Sequence, residues 1–278
     1  MRETDVPLPD GGVLHVYDTG EGDRLAVLWH HGTPNTGAPP RPLFPASERL
    51  GIRWISYDRP GYGGSTPRPG RDVASAAGYA ALAADALGVG RFAVMGHSGG
   101  GPHALACAAL LGERVVAAVA GASLAPYGAP GLDYFAGMAA SGVLSLSTAA
   151  RGRAEKERLQ ESGIPYDPEF TAADLAALHG PWSWFDEVVG AGVASGHAPV
   201  VDDDLAYVAP WGFEPAQVRV PVLLLHGGLD RIAPVAHARW LAVHLPAAEL
   251  RVGEEDGHIS VLTAGDEALG WIRERAGG

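Results

Sequence analysis

The segment Phe92-Ala93-Val94-Met95-Gly96-His97-Ser98-Gly99-Gly100-Gly101-Pro102 joins a short apolar run to an alanine-rich, helix-like run, Pro102 to Leu111. A strand that turns abruptly into a helix forces its corner residue into a strained conformation, with the side chain projecting outward. Glycines two positions either side remove the Cβ atoms that would clash across so tight a turn. Ser98 stands at that corner, between Gly96 and Gly100. Pro102 suits the first turn of a helix, where N–H groups lack intrahelical partners in any case. In a chain with 39 glycines the pattern G-x-S-x-G says little by itself, so its meaning rests on what lies beside it.

Working outward, β-like runs recur at Leu25–Trp29, Arg53–Tyr57, Phe92–Met95, Val115–Ala120, Val222–Leu225 and Glu249–Val252, with loops and helical stretches between them. This alternation predicts parallel strands joined by crossover helices, read at Ser75–Leu87, Pro102–Leu111, Val235–His244 and Ile259–Glu274. Val6–Pro9 and Val13–Tyr17, around Asp10-Gly11-Gly12, predict an antiparallel hairpin that makes the sheet mixed at one edge. The rhythm stops after Ala120 and resumes at Val220. Between them lie a charged run, Arg151–Glu161, and the aromatics Trp182, Trp184, Phe185, Trp211 and Phe213. An insertion of that length needs helices of its own. It is read as a helical cap, residues 122–216, on a core formed by 1–121 and 217–278.

Composition narrows the function classes. A net charge of −12 repels phosphate backbones and anionic lipid, so neither nucleic acid nor membrane is expected as a partner. Cys107 is the only cysteine, which excludes disulfides within the chain and a cysteine-based zinc site. Met1-Arg2-Glu3-Thr4-Asp5 lacks the order of a secretory signal, and no apolar run approaches the ~20 residues of a membrane span. The expectation is a cytoplasmic protein acting on a small molecule, with no cofactor and no metal. Whether it is a monomer or a homodimer is not written in the sequence.

A serine hydroxyl at neutral pH needs a base within hydrogen-bond reach and a carboxylate to hold that base in the right tautomer. Val222-Leu223-Leu224-Leu225-His226-Gly227-Gly228-Leu229-Asp230 puts Asp230 in the loop after a buried strand, where the carboxyl ends of strands gather chemistry. Leu250-Arg251-Val252 is followed by Gly253-Glu254-Glu255-Asp256-Gly257-His258, which puts His258 at the same end of the sheet. Asp230 is then the orienting acid and His258 the base. One backbone donor for the charge that develops on a substrate oxygen is expected at Gly99, next to the nucleophile and at a helix N-terminus.

With its serine, acid and histidine in that chain order, the sequence resembles the α/β-hydrolase family. The resemblance runs through His31-Gly32-Thr33-Pro34, Asp58-Arg59-Pro60-Gly61-Tyr62-Gly63-Gly64-Ser65, the Ser98 turn, His226-Gly227-Gly228-Leu229-Asp230 and Gly257-His258. It implies a mostly parallel eight-stranded sheet flanked by helices, with an inserted cap. It implies a second oxyanion donor, the Thr33 amide, and a structural turn at Asp58–Ser65. A serine nucleophile excludes the branches that need aspartate there. The expected activity is hydrolysis of a small, mostly apolar ester through an acyl-enzyme. The same triad also serves carbon–carbon bond hydrolysis, lactone cleavage, aminopeptidase action, cofactor-free haloperoxidation, or a receptor-like protein of slow turnover.

Plainer readings stand beside these. Asp230 also fits a helix N-cap ahead of Pro234. Asp202-Asp203-Asp204 lacks the glycine turn and distal glutamate of a calcium loop and reads as a solvated turn or helix start. His97, Trp182 and Trp184 are candidate pocket residues, although packing is the commoner use of each type. Asp186 and Glu187 are the cap carboxylates that an aminopeptidase would use to hold a substrate amine.

Overall fold

The computed structural model describes residues 1–20 and 24–277. Its elements run β1 (Arg2–Pro7), β2 (Val13–Asp18), β3 (Leu25–His30), α1 (Phe44–Leu50), β4 (Ile52–Tyr57), α2 (Ser75–Ala86), β5 (Phe92–His97), α3 (Gly100–Leu110) and β6 (Val115–Gly121). After β6 come five helices in succession: α4 (Ala140–Ala149), α5 (Arg153–Glu161), α6 (Ala172–Leu178), α7 (Trp184–Ala194) and α8 (Ala198–Val208). The β/α alternation then resumes with β7 (Val222–Gly227), α9 (Ala236–His244), β8 (Ala248–Gly253) and α10 (Gly265–Ala276).

The eight strands form one sheet in the order β1-β2-β4-β3-β5-β6-β7-β8. β1 pairs antiparallel with β2, and β2 with β4, while every pairing from β4 to β8 is parallel. The expected hairpin at one edge is therefore present, its first strand running Arg2–Pro7 rather than Val6–Pro9.

Parallel strands covered by helices on both faces carry apolar residues on both faces. Along β5, Phe92 and Val94 enter one core cluster and Ala93 and Met95 the other; along β7, Val222 and Leu224 part in the same way from Leu223 and Leu225. The first cluster takes in α2 and α3, the second α1 and α10. The β6–β7 insertion straddles them, since Tyr207 and Trp211 pack in the first while Trp182, Trp184 and Phe185 pack in the second.

Two expected helices are adjusted. α3 begins at Gly100 rather than Pro102. The run expected as one helix from Ile259 is a 3₁₀ turn at Ser260–Ala264 followed by α10. Its first amides are drawn onto the carboxylate of Asp174, which leaves the α-helix to start at Gly265.

Candidate active site

Ser98 follows directly on β5 with φ 55°, in the left-handed region that L-residues seldom occupy. Its N–H donates to Gly121 O at 2.9 Å, which fastens the turn to the end of β6. A Cβ on Gly100 would overlap the His30 carbonyl oxygen, so α3 rises hard against β3 only because that residue is glycine. On the other side, a Cβ on Gly32 would lie 3.3 Å from Ser98 Cβ. The half-buried Ser98 hydroxyl makes no hydrogen bond among the described residues.

Asp230 and His258 come together. His258 Nδ1–H donates to Asp230 Oδ2 at 2.8 Å, between side chains that are 5% and 0% exposed. The other carboxylate oxygen, Oδ1, accepts the N–H groups of Ile232 and Ala233 at 2.8 and 2.9 Å. Asp230 is not the N-cap of the following helix, whose N-cap is Val235 without a side-chain cap; its Oδ1 instead closes a loop turn over Ile232 and Ala233, while Oδ2 meets His258. Burial alone would raise this carboxyl, but the charge and hydrogen bond of His258, with His226 and the Ala233 amide behind them, hold it below its ordinary value.

His97, the residue before Ser98, is buried and donates from Nε2 to the His258 carbonyl at 2.8 Å. Its ring centre lies 4.8 Å from that of His258 and 5.7 Å from Phe185. Burial, reinforced by His258, pulls its pKa down to about 3, so the ring is neutral when it donates. Trp182 and Trp184 are buried too: Trp182 lies 5.8 Å from Phe185 and Trp184 lies 6.5 Å from Trp29.

Thr33 and Gly99 adjoin each other, since a Cβ on Gly99 would lie 3.0 Å from Thr33 Oγ1. Neither amide N–H has a hydrogen-bond partner among the described residues. Gly99 stands at the N-terminus of α3, where a free N–H suits a developing negative charge, and Thr33 lies in the adjoining loop after β3. The Thr33 side chain is fully engaged: Oγ1 donates to Asp203 Oδ2 and accepts from Tyr207 OH at 2.8 Å and Arg59 Nη2 at 3.2 Å.

Asp202, Asp203 and Asp204 are not a solvated turn. They lie inside α8, all buried, each with a cationic partner. Asp202 pairs with Arg153, and Asp204 with the buried Lys156 at 2.6 Å. Asp203 binds Arg59 at 2.7 Å and Arg71 at 2.6 Å, and it also accepts Tyr62 OH at 2.9 Å. Burial would raise the Asp203 carboxyl, but the two guanidiniums hold it well below the carboxylate range. Three adjacent acids read as solvent-facing because their partners lie up to 144 residues away in the chain.

Tyr207, Asp203 and Asp174 are the neighbours of the site that sequence reading missed. Asp174 left one signal, the helix-capping pattern Thr171-x-x-Asp174, which points only to its own helix. Asp58–Ser65 is the expected structural turn: Asp58 accepts the amides of Gly37 and Gly64 at 2.6 and 2.9 Å. Asp186 and Glu187 face outward, Glu187 paired with Arg41. Among the described residues no group of three or more His, Cys, Asp or Glu side chains is placed to hold a metal ion. No described helix is long and apolar enough to cross a membrane.

With this geometry in hand, residues 26–264 match the family model of the alpha/beta hydrolase fold. The chain belongs to the α/β-hydrolase fold family. This α/β-hydrolase is 31% identical over 257 residues to the pimeloyl-[acyl-carrier protein] methyl ester esterase of Nitrosomonas europaea, covering 90% of this chain and 94% of that one. It is 27% identical over 276 residues to the 2-hydroxy-6-oxo-6-phenylhexa-2,4-dienoate hydrolase of Comamonas testosteroni, covering 95% and 92%. Among solved structures, the enol-lactonase of Burkholderia xenovorans superposes with a TM-score of 0.71 at 21% identity over the full length of both chains.

Proposed function

We propose that this α/β-hydrolase cleaves a small, mostly apolar ester through an acyl-enzyme, with Ser98 as nucleophile, His258 as base and Asp230 as orienting acid. The 2.8 Å bond from His258 Nδ1 to Asp230 carries the reading. It fixes the tautomer whose Nε2 is free to accept a proton, on a residue that the neighbour of Ser98 holds by its carbonyl.

In this mechanism His258 Nε2 takes the Ser98 proton as Oγ attacks the ester carbonyl carbon. The carbonyl oxygen gains negative charge and is received by the Thr33 and Gly99 amides, each worth ~3–4 kcal/mol of transition-state stabilisation in comparable holes. Collapse of the tetrahedral intermediate expels the alcohol, which leaves with the proton from His258. Water then gives a proton to His258, attacks the acyl group and releases the acid, restoring Ser98. Asp230 stays ionised throughout. Residues 122–216 act as the cap, and Trp182, Trp184 and His97 form the apolar backing of the pocket.

Ester cleavage ranks first because the triad needs nothing further for it and the 31% identical relative is named an esterase. Carbon–carbon bond hydrolysis is the second reading, supported by the likeness to a dienoate hydrolase. An amine-anchored peptide substrate loses support, since Asp186 and Glu187 face outward. The test is labelling with a fluorophosphonate probe, followed by turnover of short-chain aryl esters in the wild type and in Ser98→Ala. Labelling at Ser98 and turnover that Ser98→Ala abolishes are expected; ligand binding with neither would overturn the reading. A panel of acyl lengths, lactones and dienoates with product mass spectrometry then ranks the substrates.

A further inference from the structure

His258 is held at three points besides its free Nε2. Asp230 takes the ring Nδ1–H, His97 holds the backbone carbonyl, and the backbone N–H goes to Asp174 Oδ2 at 3.2 Å. The first two holders belong to the sheet and its loops, whereas Asp174 belongs to α6 in the insertion, 84 residues earlier in the chain.

One carboxylate does several things at once. Asp174 Oδ1 accepts the amides of Ile259 and Ser260, both at 2.8 Å, while Oδ2 accepts that of Thr171 at 3.1 Å as well as that of His258. Ser260 Oγ takes the remaining amide of the loop, Gly257 N–H, at 2.8 Å. A Cβ on Gly257 would overlap Asp174 Oδ2, so this glycine admits the carboxylate. Asp174 is 1% exposed, and the amides of Ser260, Ile259 and Thr171 hold its carboxyl below the ordinary value against the effect of burial.

We infer that Asp174 is a positioning residue for His258, so that the seating of α6 on the loop sets the orientation of the base. The inference rests on His258 acting as that base. With N–H, C=O and Nδ1 all fixed, the imidazole has one orientation, and its remaining nitrogen is the one that must meet the Ser98 proton. Withdrawal of α6 removes the hold that Asp174 supplies from the insertion and takes the carboxylate from three successive amides, those of His258, Ile259 and Ser260.

The test compares Asp174→Asn, which keeps the shape but turns an NH₂ toward amide donors, with Asp174→Ala and Gly257→Ala, which displaces the carboxylate from the other side. The readouts are kcat and KM on a short-chain aryl ester, and the downfield proton resonance of His258 Nδ1–H. The expected result is a fall in kcat of about tenfold to a hundredfold, as small misplacements of a catalytic group give, with KM within about threefold. The resonance broadens or disappears, while circular dichroism and tryptophan fluorescence match the wild type. Asp174→Asn with wild-type kcat and an unchanged resonance overturns the inference, and so does a change confined to KM or to melting temperature. Where an alanine variant does not fold, Asp174→Asn decides alone. Should the wild type neither label nor turn over ester, the hydrolase reading fails, and the resonance in Asp174→Asn still decides whether Asp174 holds the ring.

Discussion

The Thr33 hydroxyl donates to Asp203 Oδ2 at 2.5 Å, so a helix of the insertion grips the loop that lies beside the Ser98 turn. The same carboxylate binds Arg59 and Arg71, each side chain 3% exposed or less. Asp203 is in consequence the charge on which two buried guanidiniums depend.

Asp203→Asn leaves that pair of cations with no compensating charge. Breaking a buried ion pair by removing one partner destabilises by about 3–5 kcal/mol. Urea unfolding should register a loss of that size, far above the few tenths expected of a surface substitution. A loss under about 1 kcal/mol would mean that the guanidiniums find other partners. Thr33→Val tests the proposed oxyanion donor separately: it keeps the backbone amide and is expected to lower kcat by less than about tenfold, against roughly a hundredfold or more for loss of a donor.

Ser98 carries backbone strain at the corner between β5 and α3. At φ 55° an L-residue pays ~1–2 kcal/mol relative to right-handed backbone, and the hydroxyl returns no hydrogen bond. Ser98→Gly should raise stability by about 1 kcal/mol in denaturant titration while abolishing turnover. A destabilised Ser98→Gly would show that the side chain contributes packing that outweighs the strain.

Asp230→Asn keeps the volume and can still accept the Ile232 and Ala233 amides through its carbonyl oxygen. The NH₂ then faces His258 Nδ1 and imposes the wrong tautomer. An Asp-to-Asn change of this kind lowers kcat roughly 10⁴-fold in the Ser-His-Asp template. Near-full activity would assign the orienting role to another carboxylate.

Acid should destabilise the fold early. Burial, with the charge of Arg59 or His258 where these are near, pulls His30 and His97 to about 3; burial pulls His237 to about 4. Unfolded histidine takes its proton near pH ~6.5. With the folded pKa below the unfolded one, the unfolded state binds more protons between the two values. Each such histidine then weakens folding by ~1.4 kcal/mol per pH unit as pH falls through that window. The depressed carboxylates Asp174, Asp203 and Asp230 act lower: their stabilisation is present above the unfolded value of ~3.9 and is lost as pH falls through their folded values. Scanning calorimetry should find the melting temperature falling between pH 6.5 and 5, before carboxylates titrate. A flat profile down to pH 4.5 would contradict the buried neutral histidines.

The strands, their parallel order and the Ser98 turn were legible because each is written locally. Two-faced apolar runs such as Val222–Leu225 demand helices on both sides, and Gly96 answers a clash with the Gly100 carbonyl within five residues, although Gly100 answers the distant His30 carbonyl. The loops after β7 and β8 were legible for the same reason, and they delivered Asp230 and His258 to one end of the sheet. Burial of three adjacent aspartates was not legible, because charge pairing with Arg59, Arg71, Arg153 and Lys156 depends on how helices dock, not on neighbours in the chain. The capping pattern at Asp174 was visible only as a local device, while its bonds to His258, Ile259 and Ser260 exist because α6 comes to rest on that loop. Backbone periodicity and turn chemistry, which act over a few residues, determined by themselves the α/β architecture and the order of its reactive groups. Tertiary packing alone decided which carboxylates enter the low-dielectric interior, because there a charge is tolerated only where distant partners meet it.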